Sequence, residues 1–134
     1  MTADQRRLIR DSFDSLREVS GPFVLLFYGK LFELDPGARP LFHNDIAAQG
    51  RKLMDMLTAV VESIDDLASM RSRLMELGKK HSEYGVRAEQ YDTLTEALLW
   101  SLAQAAGADF DPPTREAWRM ALHSICSMMK AGAA

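Results

Sequence analysis

The sequence predicts an all-α fold, and three observations carry that prediction. Apolar residues recur three and four apart in nearly every segment, β-branched alternation is absent, and Gly or Pro punctuates the chain between those segments.

Thr2 followed by Gln5 has the form of a capping box and opens a first helix that runs to about Val19, with Leu8, Phe13 and Leu16 inward. Ser20-Gly21-Pro22 breaks it, and Pro22 suits the first turn of a second helix whose inner face is Val24, Phe27, Tyr28 and Leu31. Asp35-Pro36 starts a short third helix ending at Phe42, and a polar corner, His43-Asn44-Asp45, leads into a fourth. There Leu53, Leu57, Val60 and Ile64 stack at helical spacing, with Gln49 on the same stripe one turn earlier. After Asp65-Asp66 a fifth helix sets Leu67, Met70, Leu74, Leu77 and His81 in line. Gly85 stops it. A sixth helix from about Ala88 carries Tyr91, Leu94, Leu98 and Leu102 and closes at Gly107. Asp111-Pro112 opens the last, with Trp118, Leu122, Ile125 and Met129 on one face.

Lys and Arg total 16 against 19 Asp and Glu, a formal charge of −3 without long blocks of either sign. Neither nucleic acid nor an anionic membrane is expected as a partner. A length of 134 residues predicts one domain over residues 1–134. Cys126 is the only cysteine, so no internal disulfide can form, and a reducing, cytoplasmic setting is expected. No segment approaches membrane-spanning length. The histidines lack zinc-site spacing, and the methionines scatter as gap-fillers rather than gathering as a copper site. Gly-rich phosphate loops, nucleophile elbows and His-Glu-x-x-His helices are missing, so hydrolase and nucleotide chemistry have no machinery.

Three polar heads interrupt the apolar faces. His81 ends a stripe that would hold an imidazole, a common axial ligand of haem iron, against a buried porphyrin; the same spacing suits a core histidine satisfied by its neighbours. Tyr28 and Gln49 each put a polar tip among apolar neighbours, which suggests a polar ligand between them. Each also has an ordinary alternative, a backbone carbonyl for Tyr28 and exposure in a first helical turn for Gln49.

Four blocks in order, Leu26-Phe27-Tyr28-Gly29-Lys30-Leu31-Phe32, Pro40-Leu41-Phe42, Gln49-Gly50-Arg51-Lys52-Leu53-Met54 and Leu77-Gly78-Lys79-Lys80-His81, resemble bacterial globins over essentially the whole chain. The resemblance is closest to single-domain bacterial haemoglobins related to the globin half of flavohaemoglobins, including the Hell's Gate type. It implies a three-on-three helical sandwich around haem b (iron protoporphyrin IX), with His81 as the proximal iron ligand. It implies that Phe42 packs on the porphyrin, that Gln49 and Leu53 take the distal polar and apolar positions, and that Tyr28 faces the bound ligand. Phe27, Phe32, Leu57, Leu77, Val86 and Leu98 are then expected in the apolar wall, Lys52 beside a propionate, and Lys80, Tyr84 and Tyr91 around the haem.

Flavohaemoglobins couple the proximal histidine to a tyrosine and a glutamate. Tyr91 matches the tyrosine, but Ala133 falls where the glutamate would be, which leaves a carbonyl in the preceding turn, such as that of Leu77, as the acceptor for His81. The resemblance further implies reversible binding of O2, NO and CO, with nitric oxide dioxygenation as the enzymatic expectation. The flavin and nicotinamide modules of a flavohaemoglobin are not in this sequence, so turnover would need an external reductase. A monomer or weak homodimer is expected. The rival reading is a haem-free helical sensor or interaction domain.

Overall fold

The computed structural model describes residues 1–42 and 46–134; the His43-Asn44-Asp45 corner lies outside the described residues. Among the described residues there is no strand. Six α-helices follow one another: α1 (Ala3–Arg17), α2 (Ser20–Leu34), α3 (Ile46–Glu62), α4 (Arg71–Glu83), α5 (Gln90–Ala106) and α6 (Pro112–Ala133). Short 3-10 segments at Pro36–Leu41, Ile64–Met70 and Gly107–Asp109 connect them.

The expected helix signals act where the sequence puts them. Thr2 Oγ1 accepts from the Gln5 amide at 3.1 Å while Gln5 Oε1 accepts from the Thr2 amide at 2.9 Å, a complete capping box. Asp111 Oδ1 accepts from the Thr114 amide at 3.0 Å, with Pro112 in the first turn of α6. Gly85, at φ +100°, ends α4 in a Schellman motif: the Val86 amide donates to the His81 carbonyl at 2.9 Å and the Gly85 amide to Ser82 at 3.0 Å.

One boundary differs from expectation. The segment after Asp65-Asp66 does not enter α4 at Leu67 but passes through a 3-10 segment interrupted at Asp66 (φ −145°, ψ 69°), and α4 starts at Arg71. One long-range and one local bond explain this. Arg10 holds the Asp65 carboxylate at 3.0 Å against α1, and Ser69 Oγ donates to the Asp66 carbonyl at 2.7 Å, competing with the helical ladder.

The inner faces meet in one apolar cluster that takes Ile9, Phe13 and Leu16 from α1 and Val24, Phe27, Tyr28 and Leu31 from α2. It also takes Trp118, Leu122, Ile125 and Met129 from α6. Trp118 satisfies its indole by donating from Nε1 to Ser12 Oγ at 2.8 Å. Cys126 is buried, as a small hydrophobe would be.

Helices α4 and α6 pack most extensively, and their backbones touch. A methyl group at Gly78 would collide with the Met129 carbonyl, and one at Gly132 with the Met75 carbonyl. The two glycines thus form a reciprocal contact that closes the last turns of α4 onto α6. Gly50 does the same for α3 and α2, since a Cβ there would collide with the Val24 side chain.

Candidate haem site

His81 lies on α4 one turn beyond Gly78, partly buried on the stripe of Met70, Leu74 and Leu77. Its Nδ1 is 2.9 Å from the Leu77 carbonyl oxygen. A carbonyl can only accept, so Nδ1 carries the proton and Nε2 keeps a free lone pair. Burial lowers the His81 pKa below its usual 6.5, outweighing the Leu77 bond, which works the other way. The ring is therefore a neutral imidazole with one fixed tautomer, the form in which histidine binds a metal. Among the described residues no three His, Cys, Asp or Glu side chains converge, so a metal held here must bring its other ligands with it.

Tyr28 on α2 is 6% exposed, and burial pushes its pKa up to about 12. Its hydroxyl is bonded to no protein atom among the described residues. The phenol ring sits in an aromatic group, 4.9 Å from Phe27, 6.0 Å from Phe32 and 5.4 Å from Phe42, centroid to centroid. Phe32 and Phe42 also meet edge to face at 5.4 Å. The contact of Gly50 with Val24 brings α3 against α2 one turn before Tyr28 and one residue after Gln49. Gln49 and Tyr28 thus belong to adjoining turns, and the half-buried Gln49 amide bonds to no other side chain among the described residues.

Two corners are tied together around this region. Gln90 Nε2 donates to Asp35 Oδ2 at 2.9 Å, and a Leu41 methyl rests beside Gly85. The segment bearing Phe42 therefore meets the turn bearing Val86, which the Schellman bond already fixes to His81. Phe32, Phe42, Leu53, Leu77 and Val86 remain only partly buried although they pack on the core, whereas Phe27, Leu57, Tyr91 and Leu98 are buried. Half-covered apolar side chains, a neutral imidazole and a phenol without a partner among the described residues are features that a flat apolar group with a polar ligand would complete.

The remaining expected residues stand differently. Lys52 and Lys80 are exposed, a position open to a propionate but also to solvent. Tyr84 is 71% exposed, because the chain reverses at Gly85 and leaves this C-cap side chain outside. Tyr91 is buried, with an Oη that has no partner among the described residues. The expected acceptor for His81 is present in the Leu77 carbonyl. Leu94, expected on the inner face of α5, is half-buried between Tyr91 and Leu98, whereas the sequence reading missed the packing role of the glycines 50, 78 and 132. Their signal was available: glycine inside a helix costs ~1 kcal/mol against alanine and calls for a packing reason.

The Globin family model matches residues 25–129. The chain belongs to the globin family. This globin is 31% identical to the neuroglobin of Chaenocephalus aceratus, over 93% of the chain and 87% of the relative. Its structure superposes on an engineered carbene transferase from Rhodothermus marinus, assigned provisionally as a nitric oxide dioxygenase. That likeness has a TM-score of 0.88 at 25% identity, covering 99% of this chain and 93% of the other. A globin of Campylobacter jejuni gives a TM-score of 0.84 at 23% identity, over 98% and 96% of the two chains. The fold is accordingly the three-on-three helical sandwich, and the chain is a haem-binding globin.

Proposed function

We propose that this globin forms one domain over residues 1–134, holds haem b through His81 Nε2, and binds O2 reversibly, with NO and CO as further ligands. The observation that carries the reading is the His81 hydrogen bond. With Nδ1 committed to Leu77 and the ring kept neutral, the single free lone pair lies on Nε2. The haem, when bound, supplies an iron with an open position for a diatomic gas. The chain does the rest. Tyr28 and Gln49 are placed to donate hydrogen bonds to a polar diatomic, and Tyr28 stays protonated because burial raises its pKa. Phe42, Leu53, Leu77 and Val86 cover the apolar faces of the porphyrin and exclude water, and Lys52 or Lys80 can meet a propionate at the rim.

The likeness to the Rhodothermus protein supports an enzymatic form of the same reading. In it NO and O2, with one electron from an external reductase, give nitrate. The buried lone cysteine fits a cytoplasmic protein that acts as a monomer or weak homodimer.

The test is the absorption spectrum of wild type and His81→Ala, each reconstituted with haem, reduced, and exposed to CO and O2. Histidine-ligated spectra in wild type that are lost in the variant support the reading. Identical spectra in the two proteins overturn the ligand assignment.

A further inference from the structure

Gln90, the first residue of α5, is a buried polar side chain with both ends of its amide engaged. Its Oε1 accepts from the Arg87 amide at 2.8 Å, and its Nε2 donates to Asp35 Oδ2 at 2.9 Å. A backbone N–H can only donate and a carboxylate accepts, so the two partners fix which way round the amide lies. The Gln90 amide in turn donates to the Arg87 carbonyl at 3.0 Å, which makes the hold on that turn reciprocal.

Asp35 is anchored as firmly. It caps the C-terminus of α2, its amide donating to the Leu31 carbonyl at 2.9 Å and its carbonyl accepting from the Ala38 amide at 3.0 Å as the Pro36–Leu41 segment begins. The side-chain bond therefore joins two corners whose backbones are already fixed, not two mobile tips.

The chain between those corners, fifty-five positions from Asp35 to Gln90, carries most of the haem site of the proposed reading: Phe42, Gln49 and Leu53 first, then Leu77, His81 and Val86. Its helices are held from behind, α3 at the contact of Gly50 with Val24 and α4 at that of Gly78 with Met129. Where the corner leading to Phe42 meets the turn bearing Val86, an apolar contact lies between Leu41 and Gly85. The bond of Gln90 to Asp35 is the one side-chain hydrogen bond across that junction among the described residues. Parting it would leave a buried amide unanswered and cost a charge-assisted bond, whereas an apolar contact can slide.

We infer that Gln90 is a positioning residue for haem retention: by clasping the corner at Asp35 to the turn at Arg87, it holds together the two ends of the segment that wraps the porphyrin and slows haem escape. The role rests on the haem-binding reading and adds to it a residue outside the expected haem contacts.

The experiment mixes the ferric, haem-loaded protein with an excess of haem-free myoglobin as scavenger and follows haem transfer by absorption. Gln90→Glu keeps an acceptor for the Arg87 amide but sets a second carboxylate against Asp35, and should speed haem loss by about tenfold or more. Asp35→Asn alone still offers a carbonyl to Gln90 Nε2 and should change the rate by less than about threefold. In the double variant Asp35→Asn with Gln90→Glu, the new amide donates to the new carboxylate, so the bond is restored with its polarity reversed and the rate should return to within about threefold of wild type. Urea denaturation of the haem-free proteins runs beside these rates. A bond that served the fold alone would lower the Gln90→Glu midpoint and leave haem loss at the wild-type rate, which would overturn the inference. A double variant that loses haem as fast as Gln90→Glu would overturn it too. A wild type without a histidine-ligated spectrum would instead remove the haem-binding reading, and the clasp with it, whereas a normal wild-type spectrum with haem loss indifferent to Gln90→Glu would remove the clasp alone.

Discussion

At the scale of single residues, one physical cause acts on His81 and Tyr28 in opposite directions and leaves both uncharged. Burial disfavours the imidazolium, so the His81 pKa falls, and disfavours the phenolate, so that of Tyr28 rises to about 12. For His81 the unfolded chain takes up a proton near pH 6.5 and the folded chain only at lower pH. Its contribution is whole above pH 6.5 and is lost as the pH falls. The haem-free protein should therefore lose less stability between about pH 7 and pH 5 when His81 is replaced by Phe, as urea denaturation at several pH values would show. For Tyr28 the stabilising neutral form persists below pH 10 and its contribution is lost as the pH climbs towards 12. Tyr28 has no acceptor among the described residues, and with its hydrogen bond given to a bound ligand Tyr28→Phe should speed O2 dissociation by about tenfold in flash photolysis or stopped flow. An unchanged rate would remove Tyr28 from the gas side.

At the scale of elements, the position of His81 is decided by glycines that touch no ligand. Gly78→Ala drives a methyl group into the Met129 carbonyl, and backbone cannot swing aside as a side chain can. The expected cost is about 2–3 kcal/mol or more, read from chemical denaturation, together with a shifted haem spectrum as α4 lifts from α6. Gly29→Ala is the contrasting case. Nothing lies within 4 Å of a Cβ at that exposed position in α2, so alanine should be neutral or stabilising by about 0.5–1 kcal/mol. If both substitutions behave alike, the close approach of α4 and α6 has no energetic consequence. The Schellman turn adds a second constraint, because Val86 is hydrogen-bonded to the carbonyl of His81 itself.

At the scale of the molecule, the half-covered apolar wall is a surface that haem would bury. Loading at roughly a thousand times the dissociation constant should stabilise the fold by about 4 kcal/mol. Thermal melts of haem-free and loaded protein test this, and His81→Ala should erase most of the difference while leaving the haem-free melt nearly unchanged.

The architecture was largely legible in the sequence, because caps and stripes are local. Thr2 with Gln5, Asp111 with Pro112, and the apolar face Val24-Phe27-Tyr28-Leu31 each declare themselves within a few residues. The start of α4 was not, since it depends on Arg10, fifty-five residues away, taking hold of Asp65. The site divides the same way. His81, Tyr28 and Gln49 stood out as polar heads on apolar faces, and the Leu77 acceptor follows from helical geometry. The outward turn of Tyr84 and the orphaned hydroxyl of Tyr91 depend on how distant helices close, which spacing along the chain does not encode.

The reciprocal glycines also limit how this protein can be taken apart. A helix whose fit is set by side chains can be moved to another scaffold and repacked. The helix bearing His81 cannot be moved alone, because its complement is the bare main chain of α6 at Met129 and Gly132. For transplantation or recombination the unit of exchange is the pair, α4 with the last turns of α6, and chimaeras that separate the two should lose the ligand's aim before they lose the fold.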